Sequence, residues 1–302
     1  MEDLADVGHS LHLALGVFDG VHLGHQAVVA RATEAARRDG GMAGLLTFDP
    51  HPIQVIAPEK APTALLATLE HKQRIVEALG VECFVPLIFD RAMAELEAED
   101  FIERLMQAPV KTIAVGEDWR FGHRRRGDVI MLKALAKTHG YQLEMVEPVM
   151  FEGDRISSTR IRQAIRDGNL EAAASMLGRH YSLSAHVVEG RKLGRQLGFP
   201  TANLPVGLSQ LPPCGVGAVN VSDDSGGCWR GVANLGSRPT VDGGDVMLEV
   251  HLLDFSGDLY GRLLDVRFET YLRPEQKFAS VEALAAQIAR DVTAARESFG
   301  AS

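Results

Sequence analysis

Several short stretches of this 302-residue chain carry side chains that could handle phosphate. In GRKLGRQLGFPTANL, residues 190–204, Gly190, Gly194 and Gly198 recur every four residues among Arg191, Lys192 and Arg195, so backbone amides and cations could wrap a polyphosphate. A helix is disfavoured there, because each glycine costs about 1 kcal/mol relative to alanine and Pro200 would break what remained. With a strand starting at Pro200, Thr201 and Asn203 fall on one side, Ala202 and Leu204 on the other. A hydroxyl and an amide oxygen facing a phosphate loop make a seat for Mg²⁺. Residues 16–25, GVFDGVHLGH, leave an apolar run through Gly16, Phe18, Asp19 and Gly20, and set His22, Gly24 and His25 at a helix start. Two imidazoles, with the helix amides and dipole, can meet one phosphate there. ISSTRIR, residues 156–162, puts Ser157, Ser158 and Thr159 at another helix start, with Arg162 one turn beyond Thr159 on the same face. That guanidinium could hold a phosphate oxygen as charge moves to a leaving group. In LEVHLLDF, residues 248–255, alternation sets Glu249 and His251 opposite Leu248, Val250 and Leu252, and a carboxylate so placed could be the general base for a hydroxyl attacking a γ-phosphate. Each stretch also has a plainer reading: a glycine-rich surface loop, a structural histidine, an N-cap hydroxyl, a solvent-facing glutamate. The basic run RFGHRRRGD, residues 120–128, reads as a solvated loop and receives no catalytic assignment.

The elements that must position these groups follow from hydrophobic patterning. Apolar runs at 11–18, 42–48, 83–89, 111–116 and 141–147 alternate with helical patterns after residue 20 and at 68–79, 98–107 and 128–138. This predicts a doubly wound parallel sheet with ligands at the carboxyl ends of its strands. One long helix is expected over 159–177, stopped by Gly178. Beyond it, short β runs at 185–190, 215–221, 228–235, 246–255 and 263–272 predict an antiparallel barrel or sandwich. A last helix over 281–297, N-capped by Ser280 and carrying Leu284, Ile288 and Val292 on one face, should pack across it. The length predicts two domains, divided as 1–180 and 181–302.

Composition narrows the class. With 46% apolar and 24% charged residues, the chain is an ordinary globular protein, and a net charge of −9 argues against a nucleic-acid partner held by a general basic field. Anionic ligands must be met locally. Cys83, Cys214 and Cys228 are odd in number and form no CxxC pair, which argues against a disulfide framework or a zinc site. MEDLADVGHS lacks the features of a secretory signal, and no run approaches the ~18 apolar residues of a membrane span. A cytoplasmic protein with no membrane or nucleic-acid partner is expected; oligomeric state stays open.

HxGH at 22–25 resembles the signature of the HIGH-type nucleotidyltransferase superfamily, and T-x-x-R after a serine pair resembles the second half of its site. The chemistry would then be adenylyl transfer: a phosphate attacks the α-phosphorus of ATP and pyrophosphate departs, with His22, His25 and Arg162 positioning groups and stabilising charge. The whole series GVFDGVHLGH, TFDPHP, VGEDWRFG, ISSTRIR, GFPTANL, GVANLGSRPT, LEVHLLDF, LYG and LRPEQKF resembles the bifunctional prokaryotic riboflavin kinase/FAD synthetase family, in family order. The resemblance implies an N-terminal FMN adenylyltransferase module of the HIGH-type kind. It also implies a C-terminal riboflavin kinase module, a six-stranded antiparallel β-barrel with a terminal helix. ATP and Mg²⁺ would serve both reactions, riboflavin to FMN and FMN to FAD. By position it implies ATP and phosphate contacts for Gly16, Phe18, Asp19, Gly20, Gly24, Ser157, Ser158, Thr159, Gly190, Gly194 and Gly198, beside catalytic roles for His22, His25 and Arg162. It further implies flavin contacts for His51, Pro52, Asp118, Arg273 and Phe278, metal ligation by Thr201 and Asn203, and Glu249 as catalytic base. Four residues depart from the family pattern: Trp119 for Phe, Ala185 for Gly, Gly217 for Tyr and Val241 for Phe. None removes a proposed catalytic group. Two other readings stand beside this one: an enzyme with a single activity that keeps the other module for folding, and a flavin-binding regulator, RNA-associated, that needs no turnover.

Overall fold

The computed structural model describes residues 8–62, 64–190, 192–237 and 246–300. The chain divides into two compact units, Met1–Ser158 and Thr159–Ser302. In the first, β1 (Leu11–Leu15), β2 (Met42–Asp49), β3 (Cys83–Ile88), β4 (Val110–Gly116) and β5 (Gln142–Val146) form a parallel sheet in the order β3-β2-β1-β4-β5. Its helices are α1 (Leu23–Asp39), α2 (Pro52–Ile56), α3 (Leu69–Ala78), α4 (Arg91–Glu95), α5 (Ala98–Leu105) and α6 (Val129–His139). β1 is buried along its length because both its faces are covered. Leu11, Leu13 and Leu15 pack with Phe101, Ile102 and Leu105 of α5 and Leu132 of α6, whereas Ala14 packs with Val28, Val29 and Ala32 of α1 and Val76 of α3. The sheet is doubly wound, and its order reverses between β1 and β4, where such sheets leave a ligand crevice at the carboxyl ends. A short hairpin, β6 (Met150–Phe151) and β7 (Asp154–Arg155), follows the last strand.

The helix expected over 159–177 is two helices, α7 (Ser158–Arg166) and α8 (Leu170–Leu177). Gly168 takes a left-handed φ of 75°, and the Asn169 side chain accepts from the Ala172 amide at 3.0 Å, so one residue stops a helix and the next caps another. Helical periodicity continued across the break, and the Gly-Asn pair was the overlooked signal. The second unit is built on β8 (Ser182–His186), β9 (Ala202–Pro205), β10 (Gly215–Asp223), β11 (Cys228–Ser237), β12 (Val246–Leu252) and β13 (Leu263–Pro274), ordered β8-β13-β10-β11-β12-β9. Val188 just beyond β8 donates to the Asn203 carbonyl at 2.9 Å, so the two edge strands meet in an isolated bridge and the sheet is a nearly closed antiparallel barrel. One turn of helix, α9 (Leu193–Gln196), lies within the glycine-spaced loop, where no helix was expected. The glycine penalty forbids a long helix, and a single turn escapes it. α10 (Val281–Gly300) starts at Ser280, whose hydroxyl accepts from the Ala283 amide at 3.2 Å, and its Ala295 packs with Val216, Ala218 and Val232 of the barrel.

Candidate functional site

β1 runs into residues 16–21, where Phe18, Gly20 and Val21 have φ of 52°, 81° and 43°. For phenylalanine and a β-branched valine this geometry costs about 1–3 kcal/mol each and persists only where the surroundings over-determine it. Side chains from four elements do so here. Lys72 of α3 and Thr47 of β2 each donate to the Val17 carbonyl at 2.8 Å, Ser158 at the start of α7 donates to the Asp19 carbonyl at 3.0 Å, and Gln26 of α1 donates to the Val21 carbonyl at 2.9 Å. The Val21 amide closes on the Phe18 carbonyl at 3.2 Å, and the buried Asp19 carboxylate accepts from the Leu66 amide at 3.0 Å. A Cβ on Gly20 would stand 2.7 Å from Leu66 Cδ1, so the loop also lies too close to its neighbour for any larger residue.

The loop delivers the chain to α1 with His22 as N-cap: its Nδ1 accepts the His25 amide at 3.3 Å. The two imidazoles stack at 3.6 Å between centroids, 16° from parallel, and the Phe18 ring meets His25 edge-on at 5.3 Å. Gly24 admits the His22 ring, since a Cβ there would be 3.1 Å from its Cε1. His25 Nδ1 is buried and has no hydrogen-bond partner among the described residues. Burial, then the neighbouring His22, Lys72 and Arg155, holds His25 well below the usual histidine range. It is a neutral imidazole with an unsatisfied nitrogen. Ser157 precedes α7, Ser158 begins it, and Thr159 and the buried Arg162 follow within its first turns.

Of the residues expected near flavin in the first unit, His51 N-caps α2, accepting the Ile53 amide at 3.3 Å, and Pro52 is the first residue of that helix. Asp118 is gripped by both guanidinium nitrogens of Arg155 at 2.5 and 2.9 Å, and these bonds pull its carboxyl below the usual carboxylate range. Trp119 stacks on Phe121 at 4.5 Å, so the departure from phenylalanine keeps a flat aromatic surface.

In the barrel, Asn203 of β9 stands directly opposite Glu249 of β12, and Asn234 of β11 stands opposite Glu249 on its other side. Residues in register share a face, so a carboxylate is flanked by two carboxamides. Leu248 and Val250 are fully buried while Glu249 and His251 are half-buried, as the alternation predicts. His251 Nδ1 lies 2.8 Å from the Pro200 carbonyl and its ring meets Phe199 edge-on at 5.5 Å, which pins the FPTAN segment to β12. The glycines differ in what they do. A Cβ on Gly190 would fall 2.4 Å from Asn203 Nδ2, and one on Gly194 would fall 2.4 Å from the Phe199 carbonyl and 3.3 Å from Thr201 Oγ1. Gly198 ends α9 with φ 86°. Lys192, Arg195, Thr201, Asn203 and Tyr260 border a small pocket with Gly190. Arg191 and Val241 lie outside the described residues. Arg273, at the end of β13, gives Nε and Nη2 to the buried Asp291 of α10 at 2.8 and 2.7 Å, with the Phe278 ring 5.9 Å from its guanidinium carbon.

Sequence reasoning missed Lys72, Thr47, Arg155 and Asp291. Two of them left a signal. Lys72 lies four residues before Val76, and Asp291 four before Ala295, so each is a charged residue on the buried stripe of its helix.

Comparison with known proteins matches both halves of the chain. The family model for FAD synthetase matches residues 6–160, and that for riboflavin kinase matches residues 177–299. The bifunctional riboflavin kinase/FMN adenylyltransferase of Escherichia coli K12 is 43% identical over 290 residues, 95% of this chain and 92% of its own. That of Pseudomonas fluorescens is 42% identical over 285 residues, 93% of this chain and 91% of its own. A solved structure described as a macrolide-efflux protein from Streptococcus pneumoniae is 33% identical with a TM-score of 0.81, covering 98% of this chain and 96% of its own. Among the described residues no helix is long and apolar enough to cross a membrane. With both models matched in order and identity above 40% across nearly the full length, the chain belongs to the bifunctional riboflavin kinase/FMN adenylyltransferase family.

Proposed function

We propose that the two reactions of the family are carried by the two residue sets just described. The chain is a flavin-cofactor enzyme: riboflavin is phosphorylated by ATP to FMN, and FMN is adenylylated by ATP to FAD with release of pyrophosphate. For adenylyl transfer, His22 and His25 hold ATP phosphates beside the loop through Gly16, Phe18, Asp19, Gly20 and Gly24, while Ser157, Ser158, Thr159 and Arg162 take up charge as pyrophosphate departs. His51, Pro52 and Asp118 face FMN. The orphaned, neutral Nδ1 of His25 is the observation that carries this assignment.

In the kinase, Glu249 accepts the proton of the attacking riboflavin hydroxyl, and Gly190, Gly194 and Gly198 shape the loop around the nucleotide phosphates. Arg273 and Phe278 lie toward the flavin. The Thr201 hydroxyl and Asn203 carboxamide are hard oxygen donors of the kind Mg²⁺ takes. Asn203 is buried and wedged against Gly190, so its amide is already fixed in place. Among the described residues no three His, Cys, Asp or Glu side chains cluster as a metal cage, which fits an ion shared with substrate phosphates. When bound, Mg²⁺ would screen phosphate charge; Thr201 and Asn203 would hold it, and Glu249 would move the proton. The register of Asn203 opposite Glu249 carries this second assignment.

The module boundary is placed at 180/181, with α7 and α8 in the adenylyltransferase module. Three free thiols fit a reducing, cytoplasmic setting. The test is a time course of riboflavin, ATP and Mg²⁺ with the purified protein. Wild type should pass through FMN to FAD; Glu249→Gln should stop at riboflavin yet convert added FMN to FAD, and His25→Ala should stop at FMN. Loss of both activities in either variant, or of neither, refutes the assignment.

A further inference from the structure

The most unusual buried group outside the expected site is Lys72, with 6% of its surface exposed. Its ammonium donates to the Val17 carbonyl at 2.8 Å and to Thr47 Oγ1 at 3.2 Å, and Thr47 itself donates to the same carbonyl. A trans peptide is planar, so its C=O and the following N–H point in opposite directions. Drawing the Val17 carbonyl toward Lys72 therefore turns the Phe18 N–H the other way. That N–H has no hydrogen-bond partner among the described residues, although Phe18 is buried. An orphaned buried donor in a strained loop beside the His22–His25 pair requires a partner, and an anion is the chemical class it fits.

We propose that Lys72 is a positioning residue for adenylyl transfer, holding the Val17–Phe18 peptide so that the Phe18 amide is offered to a phosphate oxygen of ATP. This rests on the reading of the His22–His25 loop as the nucleotide site. The charged and titratable groups around the ammonium are Asp19 from the loop, Asp49 at the end of β2 and His25 of α1. Burial pushes Lys72 down to about 8 against the opposing pull of Asp19 and Asp49. The cation is thus present at neutral pH and lost within an accessible range. A lysine kept only for packing would have no reason to remain charged under a strained anion loop.

The experiment follows FMN-to-FAD conversion by full-length Lys72→Met, Lys72→Gln, Lys72→Arg and His25→Ala proteins between pH 6 and 9.5, with far-UV circular dichroism as the check on folding. Losing one preorganised amide donor should lower kcat on the order of 100-fold in Lys72→Met while KM for ATP moves by less than about threefold. Lys72→Gln, which keeps a neutral donor, should lose about tenfold. Wild-type rate should decline above about pH 8, and Lys72→Arg, which stays charged, should not follow that decline. If folded Lys72→Met keeps kcat within threefold while His25→Ala is inactive, the inference is wrong and the site assignment stands. If His25→Ala is also fully active, the site assignment fails and the inference with it. A wild-type alkaline limb that persists unchanged in Lys72→Arg and Lys72→Gln likewise overturns the role given to the ammonium.

Discussion

Gly190→Ala should silence the kinase and spare the adenylyltransferase. Gly190 does not adopt a left-handed φ, so alanine brings no backbone strain; the effect is steric. Its Cβ would lie 2.4 Å from Asn203 Nδ2 and 2.5 Å from Asn203 Cγ and Oδ1. Ordinary non-bonded contact is about 3.5 Å, so the carboxamide must retreat by about 1 Å. Asn203 is buried and sits opposite Glu249, which leaves it little room to move. Overpacking of this kind costs about 1–3 kcal/mol, and misplacing a ligand-holding group by 1 Å costs about 100-fold in rate. The assay measures ADP release with riboflavin and FAD formation from FMN on one preparation, beside Gly207→Ala, where nothing lies within 4 Å of the new Cβ. Kinase activity within threefold of wild type would show that the Gly190–Asn203 contact does not position the site. An equal loss of both activities would show global disruption and refute the local argument.

Three further outcomes follow from the same structure. Lys72 has a folded pKa of about 8 against an unfolded value near 10.5, so the unfolded chain binds more protons between those pH values and stability rises with pH across that window. The gain is about 3 kcal/mol at 1.36 kcal/mol per unit, and urea unfolding at pH 7 and 10.5 should show it in wild type and not in Lys72→Met. Asp291→Asn leaves Arg273 without its carboxylate in a mostly buried setting and should cost about 2–3 kcal/mol in thermal unfolding, whereas Asp254→Asn, breaking the exposed pair with Arg296, should change nothing measurable. Glu249→Gln should lower riboflavin phosphorylation by about 100-fold or more through loss of the general base, read as ADP release, with FMN adenylylation unchanged.

What the sequence disclosed depends on how far each signal reaches along the chain. β1 was legible from its apolar run, and the Glu249 face from alternation, because both are local periodicities. The His22–His25 pair was legible because a helix start fixes residues three apart. The support beneath it was not. Lys72 and Val17 are joined by one hydrogen bond across 55 positions, and Ser158 reaches Asp19 across 139. No spacing rule encodes such a contact, and only a polar residue on a buried stripe hints that one exists. The glycines of the kinase loop were read as phosphate-wrapping amides; in the structure Gly190 also leaves room for Asn203, and Gly194 for the Phe199 carbonyl and Thr201. Composition cannot separate those two uses, since both require glycine.

The two units answer one electrostatic problem in different ways. A chain of net charge −9 must receive polyanions without a general positive field. In the first unit, side chains from four elements hold the backbone carbonyls of the loop, and one buried ammonium supplies fixed positive charge. In the second, backbone without side chains lets a carboxamide and a hydroxyl be set beside a carboxylate, and the cations at the pocket edge, Lys192 and Arg195, stay exposed. Exposed cations are screened by salt and contribute mainly to encounter, whereas oriented dipoles in a protein interior keep their strength. The proposed anion recognition therefore rests on oriented dipoles and, in the first unit, one buried ammonium, without a general positive field, and this is compatible with a net charge of −9.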